Sequence, residues 1–174
     1  NYYAGAGASS GTRFCSLVDC IVSYNRTKGG SYITRGYATN SVFLGNTGNG
    51  VEAEGNNYGS IVGCSSVGNS GKGIYNAKTV SSCVSSNNGG TGIDTCGTVS
   101  DSIASSNGSY GINVCLFATN CAASNNYEPG AYRTSLYGCR FEGNSLNVAQ
   151  PVGFFNVAAP TEIYTFPLND ALPI

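Results

Sequence analysis

Asparagine recurs along this chain at a nearly fixed interval, and that interval restricts the fold more than any other feature. Asn25, Asn46, Asn69, Asn88, Asn107, Asn126 and Asn144 are separated by 21, 23, 19, 19, 19 and 18 residues. Helical repeats need about 33 residues or more per unit, so a period near 19 excludes them. Three further columns keep the same register. Eight residues before each Asn stands an apolar or small residue: Leu17, Ala38, Ile61, Val80, Val99, Ala118 and Leu136. Five before it come Cys20, Ser41, Cys64, Cys83, Ser102, Cys121 and Cys139, all small and buriable. Three before it come Val22, Phe43, Ser66, Ser85, Ala104, Ala123 and Phe141.

Between the first two columns lie Asp19, Asn40, Gly63, Ser82, Asp101, Asn120 and Gly138, residue types that favour tight turns. After the Asn, the middle coils read Gly-Lys-Gly-Ile74, Gly-Thr-Gly-Ile93 and Ser-Tyr-Gly-Ile112. There Gly permits a bend and Ile restarts an inward-facing strand. Each repeat therefore has about three short strands and three bends. A unit this small cannot bury its own apolar side chains, whereas stacking coil on coil pairs the backbone and closes one core. Equivalent residues then stand about 4.8 Å apart. The Asn column becomes an amide ladder, with Asn tolerating the left-handed backbone region at its bend.

The pattern of apolar residue, two residues, Cys, then Asn-Asn or Gly-Asn followed by Gly-Ile resembles the β-helix repeats of the pectate-lyase-like superfamily over roughly residues 14–149. The resemblance implies an all-β fold, a single-stranded right-handed parallel β-helix of about seven coils of 18–23 residues. Residues 1–13 read as a loose segment or the remnant of a preceding coil, 14–149 as the helix, and 150–174 as a cap or tail. The absence of Met at position 1 suggests a mature product or an excised piece.

Composition bears on function mainly by exclusion. Eight Lys and Arg against nine Asp and Glu, without a basic run, give no electrostatic footprint for nucleic acid. No apolar run approaches the ~18 residues of a membrane-spanning helix. With no His, the Ser-His-Asp and Cys-His mechanisms are unavailable. Polygalacturonases, to which β-helix repeats also point, carry Asn-Thr-Asp, Asp-Asp and Gly-His-Gly motifs that this chain lacks. It also lacks the carboxylate cluster with which pectate lyases hold calcium. No cofactor is expected.

The eight cysteines follow the repeat and not the close pairs of a zinc site, so no metal is expected. They read as small fillers of a narrow interior, since Ser41 and Ser102 share their column. Disulfides between adjacent coils are the alternative: Cys64 with Cys83, Cys96 with Cys115, Cys121 with Cys139, and Cys15 with Cys20. The glycosylation-type triplets at Asn25 and Asn107 fall on ladder positions and read as structural.

A candidate site lies on the third strand of each repeat. Next to the inward Ile or its equivalent come Glu52, Tyr75, Asp94, Asn113 and Tyr132, expected to point outward. Tyr rings with amides and carboxylates would suit carbohydrate contact. Two rungs apart, Glu52 and Asp94 would stand roughly 9 to 10 Å from each other, near the carboxylate spacing of inverting glycosidases. The expected function is a noncatalytic, secreted or cell-surface module serving as rigid scaffold, adhesin or self-assembling unit, with polysaccharide or cell-surface glycan as lateral partner and head-to-tail self-association through the end coils. The alternative is a polysaccharide lyase or glycoside hydrolase using Glu52 and Asp94 as acid and base.

Overall fold

The structure, a computed structural model, describes residues 16–24, 31–33, 36–53, 59–150 and 153–155. Every strand pairing is parallel, and the strands form three sheets that run along a common axis. The first sheet holds eight strands: Ser16–Val18, Tyr37–Thr39, Ser60–Val62, Thr79–Ser81, Thr98–Ser100, Phe117–Thr119, Ser135–Tyr137 and Gly153–Phe155. The second holds seven, from Ile21–Ser23 to Arg140–Glu142, and the third seven, from Ser31–Ile33 to Val148–Ala149. No helix occurs among the described residues. The fold is a β-solenoid of about six turns. Seven coils were expected from seven asparagines, but seven register points bound only six complete repeats. The first-sheet ladder also runs past residue 149, because Leu136 pairs with Phe154.

The inward columns match the sequence register. Leu17, Ala38, Ile61, Val80, Val99, Ala118 and Leu136 are consecutive partners in the first sheet, and all are buried. Val22, Phe43, Ser66, Ser85, Ala104, Ala123 and Phe141 do the same in the second. In the third, Val51, Ile74, Ile93, Ile112 and Ala131 form a column with no exposed surface. Each buried Ile or Val removes apolar area worth about 1.5–3 kcal/mol from water. Ser66 and Ser85 enter this apolar column because their hydroxyls donate to the carbonyls of Gly73 and Gly92, at 2.8 and 2.7 Å.

Left-handed residues mark the corners. At the first, all of Asp19, Asn40, Gly63, Ser82, Asp101, Asn120 and Gly138 have φ between 48° and 61°. At the second, the left-handed residue is the one before the ladder Asn: Tyr24, Gly45, Gly68, Asn87, Ser106, Asn125 and Gly143. The described ladder asparagines themselves are not left-handed, contrary to the sequence expectation: the residue before each takes that conformation, and the ladder Asn follows it. The third corner uses Asn76, Thr95, Val114, Arg133 and Gln150, of which only Asn76 is a usual left-handed type. A β-branched residue in that region is strained by about 1–3 kcal/mol. Half-exposed Val114, at φ 48°, is accordingly a poor choice of side chain. Val114→Gly is expected to raise stability by about 1 kcal/mol, read as a higher urea midpoint. An unchanged midpoint would show that the corner is already relaxed.

The Gly before each inward Ile, Val or Ala of the third sheet also acts differently from the sequence expectation. None of Gly50, Gly73, Gly92, Gly111 and Gly130 has a positive φ. They are required by close approach: a Cβ on any of them would lie 2.6 to 2.8 Å from the amide nitrogen of the ladder Asn one rung on.

Candidate functional site

The ladder sets the precision with which surface residues are held. Asn69 shows the repeating unit: its backbone N–H and its Nδ2 both donate to Asn88 Oδ1, at 3.0 and 2.9 Å, and Nδ2 also donates to Phe43 O at 3.1 Å. Asn46, Asn88, Asn107 and Asn126 repeat the arrangement, and Asn144 ends it by donating to Ala123 O. Asn25 lies outside the described residues. Asn107 is buried within the ladder, which favours the structural reading of its Asn-Gly-Ser triplet.

The outer row of the third sheet carries the candidate residues. Glu52, Tyr75, Asp94, Asn113 and Tyr132 are successive register partners, so the five form one line on adjacent rungs. The line is less open than expected. Asp94 is buried, and both its oxygens are engaged: Oδ2 pairs with Lys72 Nζ, while Oδ1 accepts from Asn113 Nδ2 at 2.7 Å and Thr95 Oγ1 at 3.1 Å. Its expected outward exposure is therefore corrected, because a carboxylate at this depth needs ionic and hydrogen-bond partners and these cover it. Lys72 Nζ also lies 3.6 Å from the centroid of the Tyr75 ring on its own rung, a cation–π contact, so its ion pair with Asp94 ties that rung to the next.

Glu52 accepts from Asn49 Nδ2 at 2.9 Å, and Asn49 Oδ1 in turn accepts the backbone N–H of Lys72 at 3.0 Å. At the other end, the Tyr132 ring packs against Tyr110 with centroids 5.1 Å apart, and its hydroxyl donates to Gln150 Oε1 at 2.9 Å. Arg133 lies 6.0 Å from the same ring. Asn113 Oδ1 is enclosed without a hydrogen-bond partner among the described residues. Its orientation is fixed, since Nδ2 must face Asp94.

Lys72, Asn49 and Thr95 were not singled out as site residues in the sequence. Lys72 and Tyr110 hold equivalent positions two residues before the inward Ile, which places them beside the row. Tyr58, Tyr110 and Tyr127, which lie near the bends in the sequence, were expected to offer exposed stacking surface; Tyr127 is exposed, Tyr110 stacks on Tyr132, and Tyr58 lies outside the described residues.

The cysteine column is more than filler. In every described member the side-chain Sγ or Oγ donates to the carbonyl two residues back, as in Cys64 to Val62 at 3.3 Å, Cys83 to Ser81 at 3.2 Å and Ser102 to Ser100 at 2.7 Å. The same atoms accept a backbone N–H from the preceding rung: Cys20 to Ser41, Cys64 to Cys83 and Cys83 to Ser102, at 3.2, 3.4 and 3.1 Å. One donor and one acceptor on a single atom is what the left-handed corner needs, so Cys and Ser alternate there freely. Cys96, Cys115 and Thr134 make a second such column at the third corner. The seven described cysteines are unbridged, and Cys15 lies outside the described residues. A hydrogen bond from Cys83 holds the Cys64 thiol down to about 7 and pushes Cys83 up. Cys121 and Cys139 behave alike, with Cys139 at about 7 and Cys121 raised. Burial, followed by its bond with Cys96, pushes Cys115 up.

No group of three or more metal-ligating side chains is assembled among the described residues. No protein-family model, curated protein or solved structure matches the chain.

Proposed function

We propose that this chain is a rigid, noncatalytic surface module related to the pectate-lyase-like β-helices, which contacts glycans along the outer face of its third sheet. The observation that carries this reading is the fixed row Glu52, Tyr75, Asp94, Asn113, Tyr132, with Lys72 locked between Tyr75 and Asp94. A line of half-buried rings and hydrogen-bonding groups on rungs about 4.8 Å apart suits an extended saccharide, whose rings stack on tyrosine and whose hydroxyls bond amides and carboxylates. Such a surface is preorganised, so little side-chain entropy is lost on contact. A secreted or cell-surface setting follows from this partner.

The enzymatic alternative is less well supported. An acid–base pair needs one carboxyl able to reach the reacting bond, yet Asp94 is buried and holds three partners. Among the described residues Glu52 has a single side-chain partner, Asn49, and its register partners are Tyr32 and Tyr75, not a second carboxylate.

A glycan-array screen of the folded chain, run beside assays for reducing ends and unsaturated products, tests the proposal. Binding without product release is expected, with at least tenfold weaker binding in Tyr75→Ala and Tyr132→Ala. Product release that disappears in Glu52→Gln or Asp94→Asn would establish the enzyme instead. Absence of both signals would leave a scaffold or assembly role.

A further inference from the structure

We propose that the third corner of the solenoid is a docking surface for an anionic lipid bilayer. This corner is the bend that leads from the third sheet into the first. On two successive rungs its outward positions are polar, basic or small: Asn76, Lys78 and Thr79, then Thr95, Gly97 and Thr98. On the next rung all three positions turn apolar together, as Val114, Leu116 and Phe117, and all three side chains are exposed. Their equivalence follows from register, since Phe117 pairs with Thr98 and Thr98 with Thr79. Folding gives no reason for the change. Val114 holds φ 48° against the preference of a β-branched residue, and none of the three joins the core.

Leu116 projects as a knob. At 65% exposure it is the most exposed aliphatic side chain among the described residues. On one side Gly97 offers no side chain to stack against it. On the other, the chain passes directly from Thr134, whose hydroxyl accepts the Cys115 N–H, to Ser135, the register partner of Phe117. That rung omits the position that would cover Leu116. Tyr137, exposed on the same rung as Ser135, carries the apolar surface onto the first sheet.

Shape and charge name the occupant. A solenoid corner is a convex ridge, able to enter a soft layer but unable to enclose a small ligand as a pocket does. Lys78 and Arg133 are exposed at the two ends of the ridge, three rung steps or about 14 Å apart. No Asp or Glu lies on this corner among the described residues, and Asp94 of the adjoining row is paired with Lys72. An apolar ridge flanked by cations matches a bilayer interface. Leu and Phe reach the acyl boundary, Tyr sits at headgroup level and basic side chains meet anionic headgroups. The solenoid axis then lies along the membrane plane, with the third-sheet row beside the headgroups.

The test floats the full chain with vesicles. Phosphatidylglycerol and phosphatidylcholine in equal parts should bind it about tenfold or more tightly than phosphatidylcholine alone, with affinity falling as salt rises. The triple variant Val114→Thr/Leu116→Gly/Phe117→Thr copies the preceding rung, which keeps the fold, and should bind about tenfold or more weakly. Lys78→Gln/Arg133→Gln should lose the preference for anionic lipid. Ile103→Ser removes a comparably exposed apolar side chain from the second sheet and should change nothing. Because the chain has no Trp, Leu116→Trp gives a sole reporter whose emission should shift to the blue on anionic vesicles. The proposal is overturned by failure to float, by triple-variant binding equal to the native chain, by equal weakening in Ile103→Ser, or by an unshifted emission. Self-association in sedimentation velocity that the triple variant abolishes would also overturn it, assigning the ridge to a second copy of the chain.

Discussion

Asn88→Ala is expected to lower the unfolding free energy by about 4 kcal/mol, far more than the loss of one polar side chain at a surface. Asn88 Oδ1 accepts two hydrogen bonds from Asn69, one from the backbone and one from the amide, and Asn88 Nδ2 donates to Asn107 Oδ1 and Ser66 O. Alanine removes all of these at a position with almost no solvent access. The Asn69 N–H and the Ser66 carbonyl are left buried with their partner gone. Each such group costs about 1–3 kcal/mol, and the vacated volume adds to this. Urea unfolding followed by circular dichroism gives the total, and amide exchange at Asn69 locates it. The same change at half-buried Asn144, the last rung, should cost about 1–2 kcal/mol, because water can replace its partners. Equal losses at the two positions would show that the ladder does not act as a buried network.

The second large effect is expected from Gly73→Ala, at about 3 kcal/mol. The new methyl would lie 2.7 Å from Asn88 Nδ2 and from Gly92 O, and closer still to the Ser85 hydroxyl. Overpacking of this kind costs about 1–3 kcal/mol, and here displacement of Ser85 or Asn88 also breaks hydrogen bonds. By contrast, no atom lies within 4 Å of a Cβ built at Gly68. Gly68→Asn should therefore cost little, since Asn87 and Asn125 already take the equivalent left-handed position. Comparing the two variants by thermal unfolding separates close approach from backbone conformation. Similar losses would mean that backbone freedom, not space, dictates glycine at position 73.

These two predictions show where sequence reading succeeds and where it stops. The inward columns were legible because burial on a stack acts identically on every rung, and Ile74, Ile93 and Ile112 answer to the same constraint. The first corner was legible because Asp, Asn, Gly and Ser advertise the left-handed conformation. The third was not, since Thr95, Val114 and Arg133 adopt that conformation against their own preference, held by stacking above and below. The role of Gly73 was also hidden: a repeated glycine looks the same whether it supplies a positive φ or leaves room for a neighbour's amide. At the candidate site, the line of five residues was readable from register alone. Its electrostatics were not, because Lys72 reaches Asp94 from a neighbouring rung and no periodicity in the sequence reports such a contact.

The asparagine ladder has a sense of direction. Each described Asn from 46 to 126 donates to the side-chain oxygen of the next ladder Asn toward the C-terminus, while its second Nδ2 hydrogen goes to a backbone carbonyl of the rung before. A copied or deleted 19-residue unit would leave every donor facing an acceptor of the right kind, whereas a slip of one residue would leave none. Length is thus the dimension along which a gene for such a chain can change most readily, by duplication or loss of whole units. A chain of this kind can grow long without inventing a new contact.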